Sequence, residues 1–312
     1  MPMTARVTVL GSMNMDISVT VPELPGPGAT VLGSPARFAP GGKGGNQAVA
    51  AARLGAEVRM AGCVGRDDFG ARLLGALRAE AVDTTAVRQL PGVASGLALI
   101  TVDASGENMI TVAPGANEAT GADEVSSATA HPVDVLIVSA EIPFPAIRAA
   151  LEQARGSGTT CLLNLAPVPR DAHELLAAGV DWLVVNETEA SAILGRPVSG
   201  LAGAAAAATS LLSAGAAHAV VTAGAAGAAY AGPAGADSVP GFPVTAVDSV
   251  GAGDTFVGAL AAAVGAGAEP GPAVRAACAA AAVATTRPGT QDAMPRPADL
   301  PVLTGVSWPL TP

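Results

Sequence analysis

The chain has 312 residues and a formal net charge of −10; half of it is hydrophobic and only 3% is aromatic. That length suits one large α/β domain or two smaller ones, and the acidic balance excludes a general nucleic-acid binder, which needs clustered Lys and Arg. Cys63, Cys161 and Cys278 stand far apart with no CxxC pair, so there is no disulfide framework and a reducing, cytoplasmic setting is expected.

The opening "MPMTARVTVLGSMNMD" lacks the pattern of a signal peptide. No apolar stretch reaches the ~18 residues of a membrane span. "RVTVLG" from Arg6 reads as a strand, "NQAVAAARLG" from Asn46 as a helix closed by Gly55, and "VRMAGCVG" from Val58 as the next strand. The pattern repeats through "VDVLIVSA" from Val133, "TCLLNLAP" from Thr160, "WLVVN" from Trp182 and "HAVVTAG" from His218. Apolar strands alternating with alanine-rich helices predict a mostly parallel sheet covered on both faces. Two segments break the rhythm. Residues 15–38 alternate with period two and carry no helix signal, and residues 95–112 form two runs around Ala-Ser-Gly-Glu, a hairpin signature. Together they predict an inserted antiparallel patch, either a pair of edge hairpins or a lid over a pocket.

Ligands of open α/β sheets sit at the carboxyl ends of the strands. The polar residues there are Asn14, Asp16, Glu141, Asn164, Asn186 and Thr222, with Gly224 close by. In "GAGDTF", Gly251, Ala252 and Gly253 precede Asp254 at the mouth of a helix. Consecutive N–H groups at a helix N-terminus attract an anion. A carboxylate there is either an N-cap or a base for a hydroxyl attacking phosphorus. "APGGKGGNQAVAAARLG" is a Gly-rich loop entering a helix, with Lys43 and Asn46. It is not a Walker A loop, because no Ser or Thr follows the Lys. No GxGxxG and no GxSxG occurs, which leaves dinucleotide and hydrolase readings without support. In "NETEA", Asn186, Glu187 and Glu189 fit either the acidic first turn of a helix or a hydrated Mg²⁺ ion. His131, His173 and His218 share no metal-ligand spacing and receive no role.

In this order, "GSMNMD", "GGKGGNQAVAAARLG", "NETEA" and "DSVGAGDTF" resemble the PfkB carbohydrate kinases over about Val7 to Pro295, and "SGENMITVAPGAN" and "NLAPVP" are similar to the ribokinases within that family. The resemblance implies a single ribokinase-like domain over residues 1–312, a three-layer α/β/α sandwich with a small β lid. It implies transfer of the γ-phosphate of ATP to the 5-hydroxyl of D-ribose, giving ribose 5-phosphate. Fructose, deoxyribose or a nucleoside are alternative acceptors, and a non-catalytic sugar or nucleotide sensor is a reading from another class. Residue by residue, the similarity makes Asp254 the base and Gly251, Ala252 and Gly253 the anion hole. Asn14, Asp16, Gly42, Lys43, Asn46 and Glu141 correspond to sugar-binding positions. Asn186, Thr222, Gly224, Gly227 and Cys278 correspond to the ATP site, and Glu189 to a residue positioning hydrated Mg²⁺. Asp248, Val250, Ala284, Arg287, Gly289 and Ala293 match a K⁺ site. The chain departs from the pattern at Ala293, where a ribokinase often has Ser, and at Cys278, often His or Asn. The resemblance also implies a homodimer joined through the lid.

Overall fold

The computed structural model describes residues 4–308. The chain forms β1 (Arg6–Leu10), β2 (Asn14–Thr20), β3 (Arg37–Gly41), α1 (Lys43–Arg53), β4 (Glu57–Gly65), α2 (Asp68–Ala79), β5 (Asp83–Leu90), β6 (Gly96–Val102) and β7 (Asn108–Ala113). There follow α3 (Ala122–Ala128), β8 (Val135–Ser139), α4 (Phe144–Ser157), β9 (Thr160–Asn164), α5 (Ala172–Ala177), β10 (Val180–Asn186), α6 (Glu187–Leu194) and α7 (Gly200–Ser213). The last part holds β11 (Ala216–Thr222), β12 (Gly227–Gly232), β13 (Gly235–Pro240), α8 (Ala252–Gly265), α9 (Pro270–Thr285) and α10 (Asp299–Thr304).

The main sheet has nine strands in the order β13-β12-β11-β10-β9-β8-β1-β4-β5. It is parallel from β11 to β5, and β12 and β13 add antiparallel pairs at one edge. Alternate residues of each strand feed two separate cores, the arrangement of a sheet buried on both faces. Along β8, Val135 and Ile137 join α1, α2, α8 and α9, whereas Leu136 and Val138 join α3, α4, α5 and α7. The sheet is covered on both faces, as the alternating pattern predicts, and the result is the three-layer sandwich that the family resemblance implies.

The expected inserted patch is a second sheet of four strands, β3-β2-β6-β7. Its boundaries differ a little from the expected segments, and one pairing differs in kind. β2 with β3 and β6 with β7 are antiparallel, but β2 and β6, at the centre, run parallel. Each inserted segment leaves the main sheet at the carboxyl end of a parallel strand, β1 or β5, so the first strand of each insertion departs in the same direction. The apolar "TVLG" from Thr30, read with the alternating run, lies outside the strands.

β1 is flanked by β4 on one side and β8 on the other, which makes its carboxyl end a topological switch point. α1 and α8 pack against each other above it. Gly258 makes that contact close: a Cβ there would lie 2.6 Å from both the Ala50 Cβ and the Gln47 carbonyl oxygen. Gly258→Val is therefore expected to force α8 off α1 and cost about 1–3 kcal/mol of stability. A thermal unfolding curve superimposable on that of the native protein would refute this packing argument.

Candidate active site

Two adjoining cavities open at the carboxyl ends of the parallel strands. The smaller, about 150 Å³, is polar and takes its wall from Lys43, Asn186, Glu189, Thr222, Gly251, Gly253 and Asp254, among others. The larger, about 490 Å³, is mostly apolar and includes Gly224, Gly227, Phe242, Val244, Phe256 and Cys278. Thr222 and Gly253 belong to both walls, so the cavities are continuous at the N-terminus of α8.

Gly251 is the N-cap of α8 at φ 77°, a left-handed conformation that favours glycine. The Ala252 N–H is partly engaged, donating to the Ser249 carbonyl at 3.3 Å. Among the described residues the Gly253 and Asp254 N–H groups have no acceptor, so two free donors and the helix dipole face the junction of the cavities. The Asp254 side chain does not cap its helix. It is turned instead toward α1, where Oδ2 accepts from Asn46 Nδ2 at 2.9 Å and Oδ1 from Gln47 Nε2 at 3.1 Å.

Burial raises the pKa of Asp254; the Lys43 charge and the Asn46 and Gln47 donors oppose that rise, and Glu141 adds to it. Burial works against the Lys43 ammonium, yet Asp254, Glu141 and Glu189 together hold its pKa above the ordinary value. Glu141 is fixed at the switch point, accepting from Ser12 Oγ at 2.6 Å and from the Lys43 N–H at 3.4 Å.

Asn14 and Asp16, two apart on β2, share one face of the lid. Asn14 is held by Asn117, whose Nδ2 donates to Asn14 Oδ1 at 2.7 Å while its own Oδ1 accepts from the Met13 N–H at 2.9 Å. Asn117 closes "SGENMITVAPGAN" and has no role in the sequence reading. Asp16 lies against Gly41, where any Cβ would collide with its carboxyl group. Gly42, at φ 84°, starts α1 so close to Met13 and Asn14 that a Cβ would lie 2.6 Å from the Asn14 nitrogen. Burial first, then the charges of Glu141 and Asp254, push the Asp16 carboxyl up to about 7.

Asn186 and Glu189 form a capping box at the start of α6: Asn186 Oδ1 accepts from the Glu189 N–H at 2.9 Å, and Glu189 Oε2 from the Asn186 N–H at 2.7 Å. Glu187 turns away and accepts from the Gly200 N–H at 2.5 Å. So the first-turn reading of "NETEA" describes its backbone, while Asn186 and Glu189 still line the polar cavity. His218 stacks on Trp182 with ring centroids 4.4 Å apart, far from any metal-like grouping.

The last group lies just before and beyond α8. Asp248 joins two loops, accepting from the Val250 N–H through Oδ1 and from the Gly289 N–H through Oδ2, both at 3.0 Å. The Ala284 carbonyl accepts from the Arg287 N–H at 3.3 Å. The Arg287 side chain leaves this region and pairs with Asp299 at 2.9 Å. Ala293 is buried and brings no polar side-chain atom.

Fold and site together define an α/β protein with two free N–H groups at the N-terminus of α8, a buried carboxylate beside them and a second, smaller sheet next to the polar cavity. The model of the pfkB family carbohydrate kinases matches residues 4–297. Over 295 residues the chain is 36% identical to the ribokinase of Haemophilus influenzae, covering 94% of this chain and 96% of that protein. A ribokinase from Thermotoga maritima superposes with a TM-score of 0.86 at 30% identity, over 96% of this chain and 99% of that one. A structure of Arabidopsis thaliana ribokinase complexed with ribose and ATP gives 0.85 at 27% identity with the same coverage. The chain belongs to the PfkB family of carbohydrate kinases, enzymes that transfer a phosphoryl group to a sugar hydroxyl.

The Asp16 carboxyl gives a stability prediction. Its pKa is higher in the folded chain than in the unfolded one. Its contribution is therefore fully present below the unfolded value near 3.8 and is lost as the pH rises through about 7. Asp16→Asn is expected to melt higher than the native protein at pH 8, with the gap closing toward pH 4. Equal melting temperatures at both pH values would show that the folded protein does not raise this group.

Proposed function

We propose that this chain is an ATP-dependent ribose kinase that phosphorylates the 5-hydroxyl of D-ribose. The observation that carries the reading is the meeting of the buried Asp254 carboxylate with the free Gly253 and Asp254 N–H groups at the junction of the two cavities. In this reading the sugar lies between the lid and α1, gripped by Asn14, Asp16, Gly42, Lys43, Asn46 and Glu141. Carboxylates and carboxamides are the side chains that bind neighbouring hydroxyls in pairs. Asp254 takes the proton of the attacking hydroxyl as its oxygen bonds to the γ-phosphorus and the bond to the β-phosphate oxygen breaks. The free Gly253 and Asp254 amides in the first turn of α8, which Gly251 and Ala252 open, and the Lys43 ammonium meet the negative charge of the migrating phosphoryl group.

The purine fits the apolar cavity, against Gly224, Gly227, Phe256 and Cys278, with Thr222 and Asn186 toward the phosphates. Mg²⁺, when bound, supplies charge neutralisation on the phosphates. Among the described residues no group of three or more His, Cys, Asp or Glu is arranged to hold the ion directly, so the fit is to a hydrated ion carried by the nucleotide, with Glu189 placed to accept from its water. The family resemblance puts a K⁺ ion at the loops of Asp248, Val250, Ala284, Arg287 and Gly289, where it would raise the positive potential behind the helix terminus; the Asp248 carboxylate and the Ala284 carbonyl there also accept main-chain hydrogen bonds, and Ala293 adds no ligand. No described helix is long and apolar enough to cross a membrane, and a cytoplasmic setting agrees with the three free cysteines. The lid exposes apolar side chains on both faces, Leu99 and Met109 on one and Ile110 and Val112 on the other. That is more than one pocket can cover, and it supports a homodimer joined through the lids.

Asp254→Asn is expected to bind ribose and ATP normally while kcat falls by roughly 10²–10⁴-fold. In a coupled assay of ADP release, the native enzyme is expected to favour ribose over fructose, deoxyribose and nucleosides and to respond to K⁺. A kcat preserved in the variant removes Asp254 from the base role, and a higher rate with a nucleoside overturns the ribose assignment.

A further inference from the structure

Gln47 follows Asn46 on α1, is fully buried, and faces away from solvent on every side. Its carboxamide nitrogen donates twice, to Asp254 Oδ1 at 3.1 Å and to Asn164 Oδ1 at 2.9 Å. Asn164 itself is oriented by the main chain: its Nδ2 donates to the Val184 carbonyl at 3.1 Å, so the atom it turns toward Gln47 is the oxygen. Reversing the Gln47 amide would set its Oε1 against two acceptor oxygens, Asn164 Oδ1 and Asp254 Oδ1. One orientation alone is compatible with the surroundings, and it presents N–H to the carboxylate.

A matching device serves the other carboxylate oxygen. Gln291 Nε2 donates to Asn46 Oδ1 at 3.1 Å, which leaves Asn46 Nδ2 to face Asp254 Oδ2. Each oxygen of Asp254 is thus addressed by a carboxamide whose orientation a second carboxamide has set.

Gln47 Oε1 is buried and has no partner among the described residues. All the polar contacts of the side chain are therefore made by its nitrogen, which serves two buried acceptors, Asp254 Oδ1 and Asn164 Oδ1.

We propose that Gln47 is a positioning residue for the phosphoryl-transfer step, its nitrogen locked by Asn164 so that it holds Asp254 Oδ1 and fixes the rotation of the carboxylate toward the acceptor hydroxyl. Gln47 acts only through Asp254. The inference rests on the reading of Asp254 as the base.

The test is a double-mutant cycle with ribose and ATP, following ADP release, on Gln47→Met, Asp254→Asn and the pair. Misplacing a reacting group by about 1 Å is worth up to 10²-fold, so Gln47→Met is expected to lower kcat at least tenfold, with the KM for ribose within about threefold of native. In the Asp254→Asn background the same change is expected to alter kcat less than twofold. Multiplying effects in the pair, or a native kcat in Gln47→Met, overturn the proposal. A native kcat in Asp254→Asn alone instead overturns the underlying assignment of the base. If Gln47→Met does not fold, Gln47→Glu keeps the length and replaces the donor with an acceptor, and the same cycle is read on it.

Discussion

The close approach of α1 to α8 is the constraint on which the site depends. The carboxamides of Asn46 and Gln47 and the carboxylate of Asp254 meet within hydrogen-bond distance only because the two helices nearly touch. Gly258 and Ala50 set that spacing, since any larger side chain at either position would enter the Gln47 carbonyl or the facing helix. The abundance of Ala and Gly is therefore more than a compositional bias. Short side chains bring main chains together, and two main chains in contact hold their polar side chains to one geometry.

A second consequence of that spacing is electrostatic. Asp254, Glu141 and Glu189 bear on one lysine, Lys43, in a chain of net charge −10, and Asp16 feels the charges of Glu141 and Asp254. Burial raises the pKa of Asp254 and of Asp16, and neighbouring negative charges add to the rise. Lys43 and the amide donors oppose the rise at Asp254, whereas every cause acting on Asp16 raises it, and its carboxyl is pushed up to about 7. The free N–H groups at the start of α8 complete the balance by offering a place for a further negative group.

Much of this was legible in the sequence because strands and helices of the two-faced sheet have distinct periods. β1, β4, β8, β9, β10 and β11 follow from short β-branched runs, and α1 from the run after Asn46, although it begins earlier, at Lys43. The parallel pairing at the centre of the lid was not legible, because alternation gives the faces of a strand but not the direction of its neighbour. β12 and β13 were missed for a related reason: "GAAYAG" and "GADSVP" have little of the β-branched character that marks a strand. Among the candidate positions, Asn46, Lys43, Glu141 and Asp254 stood out as polar residues at strand or helix ends and are gathered in space. Gln47, Asn117 and Gln291 gave no such signal. They are uncharged and sit within a helix or a loop, and their partners lie 104 to 245 residues away. The one available cue was a second polar side chain beside Asn46, in a helix whose residues between Lys43 and Arg53 are otherwise small and apolar.

The bare lid has a thermal consequence. Leu99, Met109, Ile110 and Val112 are each about half exposed, and all four lie on neighbouring strands that project from the main sheet. Covering such a surface is driven near room temperature by the release of ordered water and carries a negative heat-capacity change. Any association made through these side chains therefore loosens in the cold and tightens on warming, opposite to an association held by charged pairs and amides.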